Sequence, residues 1–335
     1  DDDRRRTNIS AVTFAPDSER SVTAYNDGVA NVWDSNGNIL ASLEGHTGRI
    51  NSVHFSPDGK FIITVDEDET PQLWDSLGTL VSRLEGHTDL ITWADFSPDG
   101  RYAITASRDG SARVWDLAGN LVLILDEHDG WVTSAKFNPQ SNLIITASRD
   151  SDNLAKIWNL EGELIMVLVG HTSWVTYAEF GHDGQHIVTA SIDKSAKLWN
   201  IEGNLLTSFD GHTDVVRFAQ LSSDKQYVIT TSSDWTVKFW DTTGRLLATF
   251  EGYDGNDPTA DFSPDGRYVV TAGQGGTTQL WSIYPTLDDK LAELQYRLTR
   301  AFTSDECLRY FRDNTESCPS TLNDLFSLYG NETTN

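Results

Sequence analysis

Cysteine is almost missing from this chain: there are two in 335 residues, Cys307 and Cys318, both near its end. Everything before them is therefore no disulfide scaffold, and with no His beside them the pair is too small a set for zinc. Free thiols or a single disulfide both remain open for this pair. Basic residues are also scarce, 25 Lys and Arg against 50 Asp and Glu, for a net charge of −25. Binding to a phosphate backbone needs a basic face, so nucleic acid is not an expected partner. No stretch approaches the roughly 18 uninterrupted apolar residues of a membrane-spanning helix, and the opening Asp1 to Arg6 carries no signal peptide. A cytoplasmic location is expected, and that charged opening reads as a cut point within a longer protein. The chain holds no Gly-x4-Gly-Lys-Ser/Thr loop and no His-Glu-x-x-His. His182 and His186 flank a turn, and the acidic run from Asp66 to Glu69 lacks the glycine of a calcium loop. Neither a metal nor a cofactor is expected.

What the chain does have is a period. Tryptophan recurs at 33, 74, 115, 158, 199, 240 and 281, at spacings of 41, 41, 43, 41, 41 and 41. Between two of them the pattern resolves into four short strands. Ile91 to Phe96 ends in the turn residues Ser97-Pro98-Asp99-Gly100; Tyr102 to Ser107, Ala112 to Trp115 and Leu121 to Leu125 follow, separated by turns. These are strands a to d of one unit. Each unit cannot bury its faces alone, so neighbours must stack into one continuous core.

A polar set recurs with the Trp: an Asp six residues before it, a Thr four before that, and a His further upstream. The sets are His46, Thr64, Asp68, Trp74; His87, Thr105, Asp109, Trp115; His128, Thr146, Asp150, Trp158, with two extra residues before the Trp; His171, Thr189, Asp193, Trp199; and His212, Thr230, Asp234, Trp240. A His beside an Asp and a hydroxyl invites a catalytic reading. Five copies argue against it, because a catalytic site is built once. A buried indole N–H needs an acceptor. The Thr hydroxyl can accept it and bond onward to His, which Asp orients. The first unit keeps Thr23, Asp27 and Trp33 but has no His. The last has Tyr253 for His and Gly275 for Asp, and no obvious outer strand after Trp281, so it is expected to be the softest.

The Gly-His pairs and the Val-Trp-Asp strand ends resemble the WD40 repeat, one four-stranded blade of a β-propeller. That resemblance covers residues 7 to 281 and implies an all-β, seven-bladed propeller whose His-Thr-Asp-Trp sets are structural. It also implies a last blade completed by a strand from the opposite terminus. The propeller is assigned to 1–281 and a helical C-terminal tail to 282–335. In the tail, Leu287, Leu291, Leu294 and Leu298 follow a helical stripe, and Thr303 to Glu306 reads as a capping box. Its segment from Arg297 to Pro319 is similar to tails that follow WD40 arrays in bacterial multidomain signalling proteins, among them NACHT-type STAND NTPases. The resemblance implies a C-terminal sensor or scaffold with an effector domain upstream.

Four tryptophans lie off the repeat: Trp93, Trp131, Trp174 and Trp235. Trp131 and Trp174 share one slot, three residues after the blade His, in the d–a loop that rims the mouth of the central channel. Leu90 and Val215 hold that slot in the flanking blades. Arg108 and Arg149 stand just before the tetrad Asp in neighbouring b–c loops, and Arg49 and Arg217 join from the d–a side. Aromatic and Arg side chains on one face are the material of interface hot spots, although bulky residues also plug a channel mouth. The expected function is non-enzymatic binding of a protein or peptide, acidic in view of these arginines. An enzyme centred on the channel face and a purely structural spacer are the rival readings.

Overall fold

The computed structural model describes residues 9–66, 70–149, 153–253, 258–263, 266–273 and 278–283. The chain divides into two compact units, Asp1–Trp281 and Ser282–Asn335. The described residues lie in the first, apart from the last two. The tail helices, Cys307 and Cys318 fall outside them.

Every described strand pairs antiparallel with its sequence neighbours inside its own blade. There are six four-stranded sheets and a last sheet in which three strands are described, each in plain a-b-c-d order. In blade three the strands are Ile91–Phe96, Tyr102–Ser107, Ala112–Asp116 and Leu121–Leu125. The c–d turn needs a left-handed residue, supplied by Gly119 at φ 86° with its counterparts in the other blades.

The core is not one lump but a series of layers between blades. Ile145, Ala147, Ala155, Ile157 and Leu168 of blade four pack on Val175, Ala178, Phe180, Ile187 and Trp199 of blade five. The same residue columns meet between blades one and two, two and three, three and four, and five and six. Hydroxyls stitch the inner strands together as well. Thr133 Oγ1 donates to the Val175 carbonyl at 3.0 Å and Thr176 Oγ1 to that of Val216 at 2.6 Å, a bond Thr92 repeats with Val132.

The polar sets form hydrogen-bond chains. In blade three Trp115 Nε1 donates to Thr105 Oγ1 at 2.9 Å, His87 Nε2 lies 2.8 Å from that hydroxyl, and His87 Nδ1 lies 2.7 Å from Asp109. Blades five and six repeat this through Thr189, His171, Asp193 and through Thr230, His212, Asp234. In blade four Trp158, Thr146 and His128 are joined the same way, while Asp150 lies outside the described residues.

Blade two adds a carboxylate that the sequence reading did not include. His46 Nδ1 meets Asp66 at 2.9 Å, both side chains fully buried, while Asp68 lies outside the described residues. Asp66 follows Thr64 by two, where blades three, five and six have Ser107, Ser191 and Ser232. Those hydroxyls donate to d–a loop carbonyls. A carboxylate cannot donate there, and it accepts from the histidine instead.

Blade seven is less impoverished than its residues imply. Tyr253 is buried, and its Oη donates to Thr271 Oγ1 at 2.6 Å, while Trp281 Nε1 reaches the same hydroxyl at 2.9 Å. A phenol has one polar atom where imidazole has two, so nothing is left for an Asp to orient. The loss of His and the loss of Asp are thus one substitution. Gly275 itself lies outside the described residues. Blade one shows the opposite case: Trp33 Nε1 is buried without a partner, although Thr23 stands ten residues before it.

Candidate functional site

The d–a and b–c loops are tied together by one recurring backbone bond. The N–H of the residue just before the tetrad Asp meets the carbonyl of the slot residue: Arg108 to Leu90 at 2.9 Å, Ile192 to Trp174 at 3.0 Å, Ser233 to Val215 at 2.9 Å. In blade four the slot has been drawn into the inner strand, where Trp131 pairs with Arg149. Each slot side chain therefore emerges beside its own b–c loop. Neighbouring blades approach closely here, because Gly110 turns at φ 86° and a Cβ on it would lie 3.1 Å from the His128 carbonyl. That contact carries Arg108 of blade three over the Trp of blade four.

The result is a depression of about 420 Å³ lined by Arg108, Asp109, Gly110, His128, Asp129, Gly130, Trp131, Arg149 and Trp174. Trp131 and Trp174 are 40% and 43% exposed, large values for indoles. The Arg108 guanidinium lies 4.4 Å from the Trp131 ring centroid and that of Arg149 5.7 Å, a cation–π arrangement on both counts. Burial, and then the charges of Arg217 and Arg108, pull the Arg149 pKa below the usual arginine range. Arg217 belongs to blade six, so arginines from three blades share one electrostatic field. In its column the preceding blades have Thr92, Thr133 and Thr176, which clasp the next blade. Arg217 bonds instead to Ser233 Oγ at 2.8 Å.

Four of the eight sequence candidates, Arg108, Trp131, Arg149 and Trp174, thus line one depression, and Arg217 acts on it. Leu90 and Val215 are half-buried and contribute backbone carbonyls, while Arg49 is exposed; none of these three is in the lining.

Sequence reasoning missed the throat below. Trp93 of blade three meets Tyr177 of blade five edge-on across the channel, with ring centroids 5.6 Å apart. Lys136 of blade four puts its Nζ 5.1 Å and 5.4 Å from these two rings and 3.2 Å from Glu179. Tyr177 Oη donates to Glu179 at 2.6 Å. Burial works against the Lys136 charge, but Tyr177, Glu179 and Asp95 outweigh it and hold the ammonium well above the usual lysine range. His54, also buried, is held below the usual histidine range, chiefly by that burial. The signal lay in the period: Trp93, Tyr177 and Phe218 fall at one repeat position, and Asp95, Lys136 and Glu179 at another. These side chains line a second depression of about 430 Å³, with His54, Phe218 and Gln220 also in its wall. Among the described residues no cluster of His, Cys, Asp and Glu fits a metal ion, and no helix is long and apolar enough to cross a membrane.

Comparison with known proteins supports this frame. The family described as "WD domain, G-beta repeat" matches residues 5–34, 37–75, 78–116, 119–159, 162–200, 203–241 and 244–282. No curated protein matches the chain significantly. Among solved structures, the computationally designed Ika8 protein is 28% identical, with a TM-score of 0.72 over 83% of this chain and 84% of that one.

Proposed function

We propose, for a chain that belongs to the WD40 repeat family, that its channel-mouth face is the docking site of a protein or peptide partner. WD40 propellers act broadly as interaction scaffolds without catalysis of their own, and the residues here fit that use. The observation that carries the reading is the pair Trp131 and Trp174, two indoles in one repeat slot, both close to half exposed and set among arginines. A face selected for solubility alone places polar groups there, and contiguous exposed aromatics mark interaction sites. In the broader proposal the domain is a cytoplasmic C-terminal sensor or scaffold in a bacterial signalling or defence protein, with an effector domain upstream. The tail's similarity to those proteins motivates that part.

The test is the double variant Trp131→Ala, Trp174→Ala in a pull-down against wild type. Losing one hot-spot anchor lowers affinity by roughly thirtyfold, so the partner is lost while the melting temperature stays within a few degrees. Retention of the partner, or unfolding of the variant, would mean the two indoles are structural plugs.

A further inference from the structure

We infer that the depression at Trp131 is a carboxylate-binding site, and that the segment docking there is an acidic peptide with an apolar residue beside its anchoring carboxylate. The inference rests on the channel-mouth reading above and names the ligand for it. Three features carry it.

First, the positive charge is concentrated where it is costly. In a protein of net charge −25, Arg108 and Arg149 flank one ring and Arg217 stands close by. Like charges crowded this way repel, and an anion between them removes the repulsion. Second, Arg108 and Arg149 are not spent on internal carboxylates, although Asp109 and Asp129 line the same depression. Asp109 is already engaged by His87, Ser111 and the Thr88 N–H. Among the described residues neither Arg108 nor Arg149 forms an ion pair. A planar guanidinium with free donors is matched by a carboxylate's two oxygens. Third, the geometry is preorganised. Trp131 holds both guanidiniums against its ring, which restricts their rotamers before anything binds, and lowers the entropy lost on binding. Trp174, lining the same depression from the next blade, offers an apolar surface for a neighbouring side chain.

The arrangement predicts an unusual pair of signs. Removing a charge that only serves the fold lowers stability. Removing one of these charges relieves repulsion in the free protein and so leaves stability unchanged or raised, while it weakens binding.

The experiment titrates the full chain with a blocked hexapeptide of alternating Glu and Leu, and with its Gln and Leu counterpart, followed by tryptophan fluorescence and calorimetry. The Glu peptide is expected to bind at least about tenfold more tightly than the Gln peptide, with an affinity that falls as ionic strength rises. Arg149→Gln and Arg108→Gln should each weaken the Glu peptide by about tenfold or more, with a melting temperature equal to or above wild type. Equal binding of the two peptides, no binding of the Glu peptide, or unchanged affinity in both arginine variants overturns the carboxylate assignment. A melting temperature that drops with affinity overturns it too, since the arginines would then be structural. The two readings fail separately. If Trp131→Ala, Trp174→Ala loses the cellular partner and the arginine variants keep it, the face binds but not through a carboxylate. If the double Trp variant keeps the partner, the face reading itself is wrong.

Discussion

Between blades four, five and six the apolar columns are sealed; at the outward faces of blades seven and one the same columns are exposed among the described residues. Leu198, just before the repeat Trp of blade five, is 3% exposed, whereas its counterpart Leu280 in blade seven is 68% exposed. Phe180, ending the inner strand of blade five, is 8% exposed, whereas Phe14 in blade one is 71% exposed. Strand type, residue type and position in the repeat are the same in each pair. What differs is whether a neighbouring blade lies against the face. In a repeat protein a residue is core because the next unit covers it, so stability is mostly a property of interfaces. The polar chains tell the same story on a smaller scale. Where a His or Tyr reaches the Thr hydroxyl, the Trp N–H is satisfied; in blade one, which lacks either, it is not.

The largest test of this comparison is truncation in one column. Leu198→Ala should cost about 2–5 kcal/mol, the range for a buried leucine, and Leu280→Ala no more than about 0.5 kcal/mol. Urea denaturation of both variants measures it. Equal losses would mean that Leu280 is covered in the folded protein.

An intermediate effect separates the polar chains by pH. Burial works against the Asp234 charge, but the Thr236 hydroxyl, the Thr213 N–H and His212 outweigh it and set its pKa at about 2. A depressed carboxylate contributes stability that is present above its ordinary value of 3.8 and is lost as pH falls through the folded value. Burial, opposed by Asp234, lowers the His212 pKa below 6.5, so the unfolded chain takes up that proton first. Stability therefore also falls as pH drops below 6.5 toward the folded value, and both groups act in the same direction. The blade-seven chain of Tyr253, Thr271 and Trp281 contains neither imidazole nor carboxylate. Asp234→Asn should lower stability near neutrality and flatten the acid limb of a stability–pH curve. Tyr253→Phe should lower it by about 1 kcal/mol with the slope of that limb unchanged. A matching change of slope in both variants would refute this division.

The smallest effect belongs to blade one. Trp33→Phe removes no hydrogen bond and should cost about 0.5 kcal/mol or less beyond its loss of ring surface. Trp281→Phe gives up the bond to Thr271 and should cost about 1 kcal/mol more. Thermal unfolding of the pair reads the difference, and a larger loss at Trp33 would show that its N–H has a partner in solution.

Much of this was open to reading in the one-dimensional chain. The Trp period, the turn glycines and the strand alternation determine seven repeats and the order of four strands within each, because they are local properties with fixed spacing. The slot shared by Trp131 and Trp174 is legible for the same reason. Its neighbours are not. Arg108 meets Trp131 only because Gly110 lets blade three approach blade four, and Arg217 enters the field from blade six only because the inner strands converge. The throat, where Trp93 meets Tyr177 two blades away, is a matter of curvature. Asp66 meets His46 because side-chain reach, not count along the chain, brings a carboxylate to the ring. The repeat by itself decided what each blade is. Which faces are covered, and which charges share a field, was decided by how blades pack in three dimensions, since burial and Coulomb energy depend on distance in space rather than on separation in sequence.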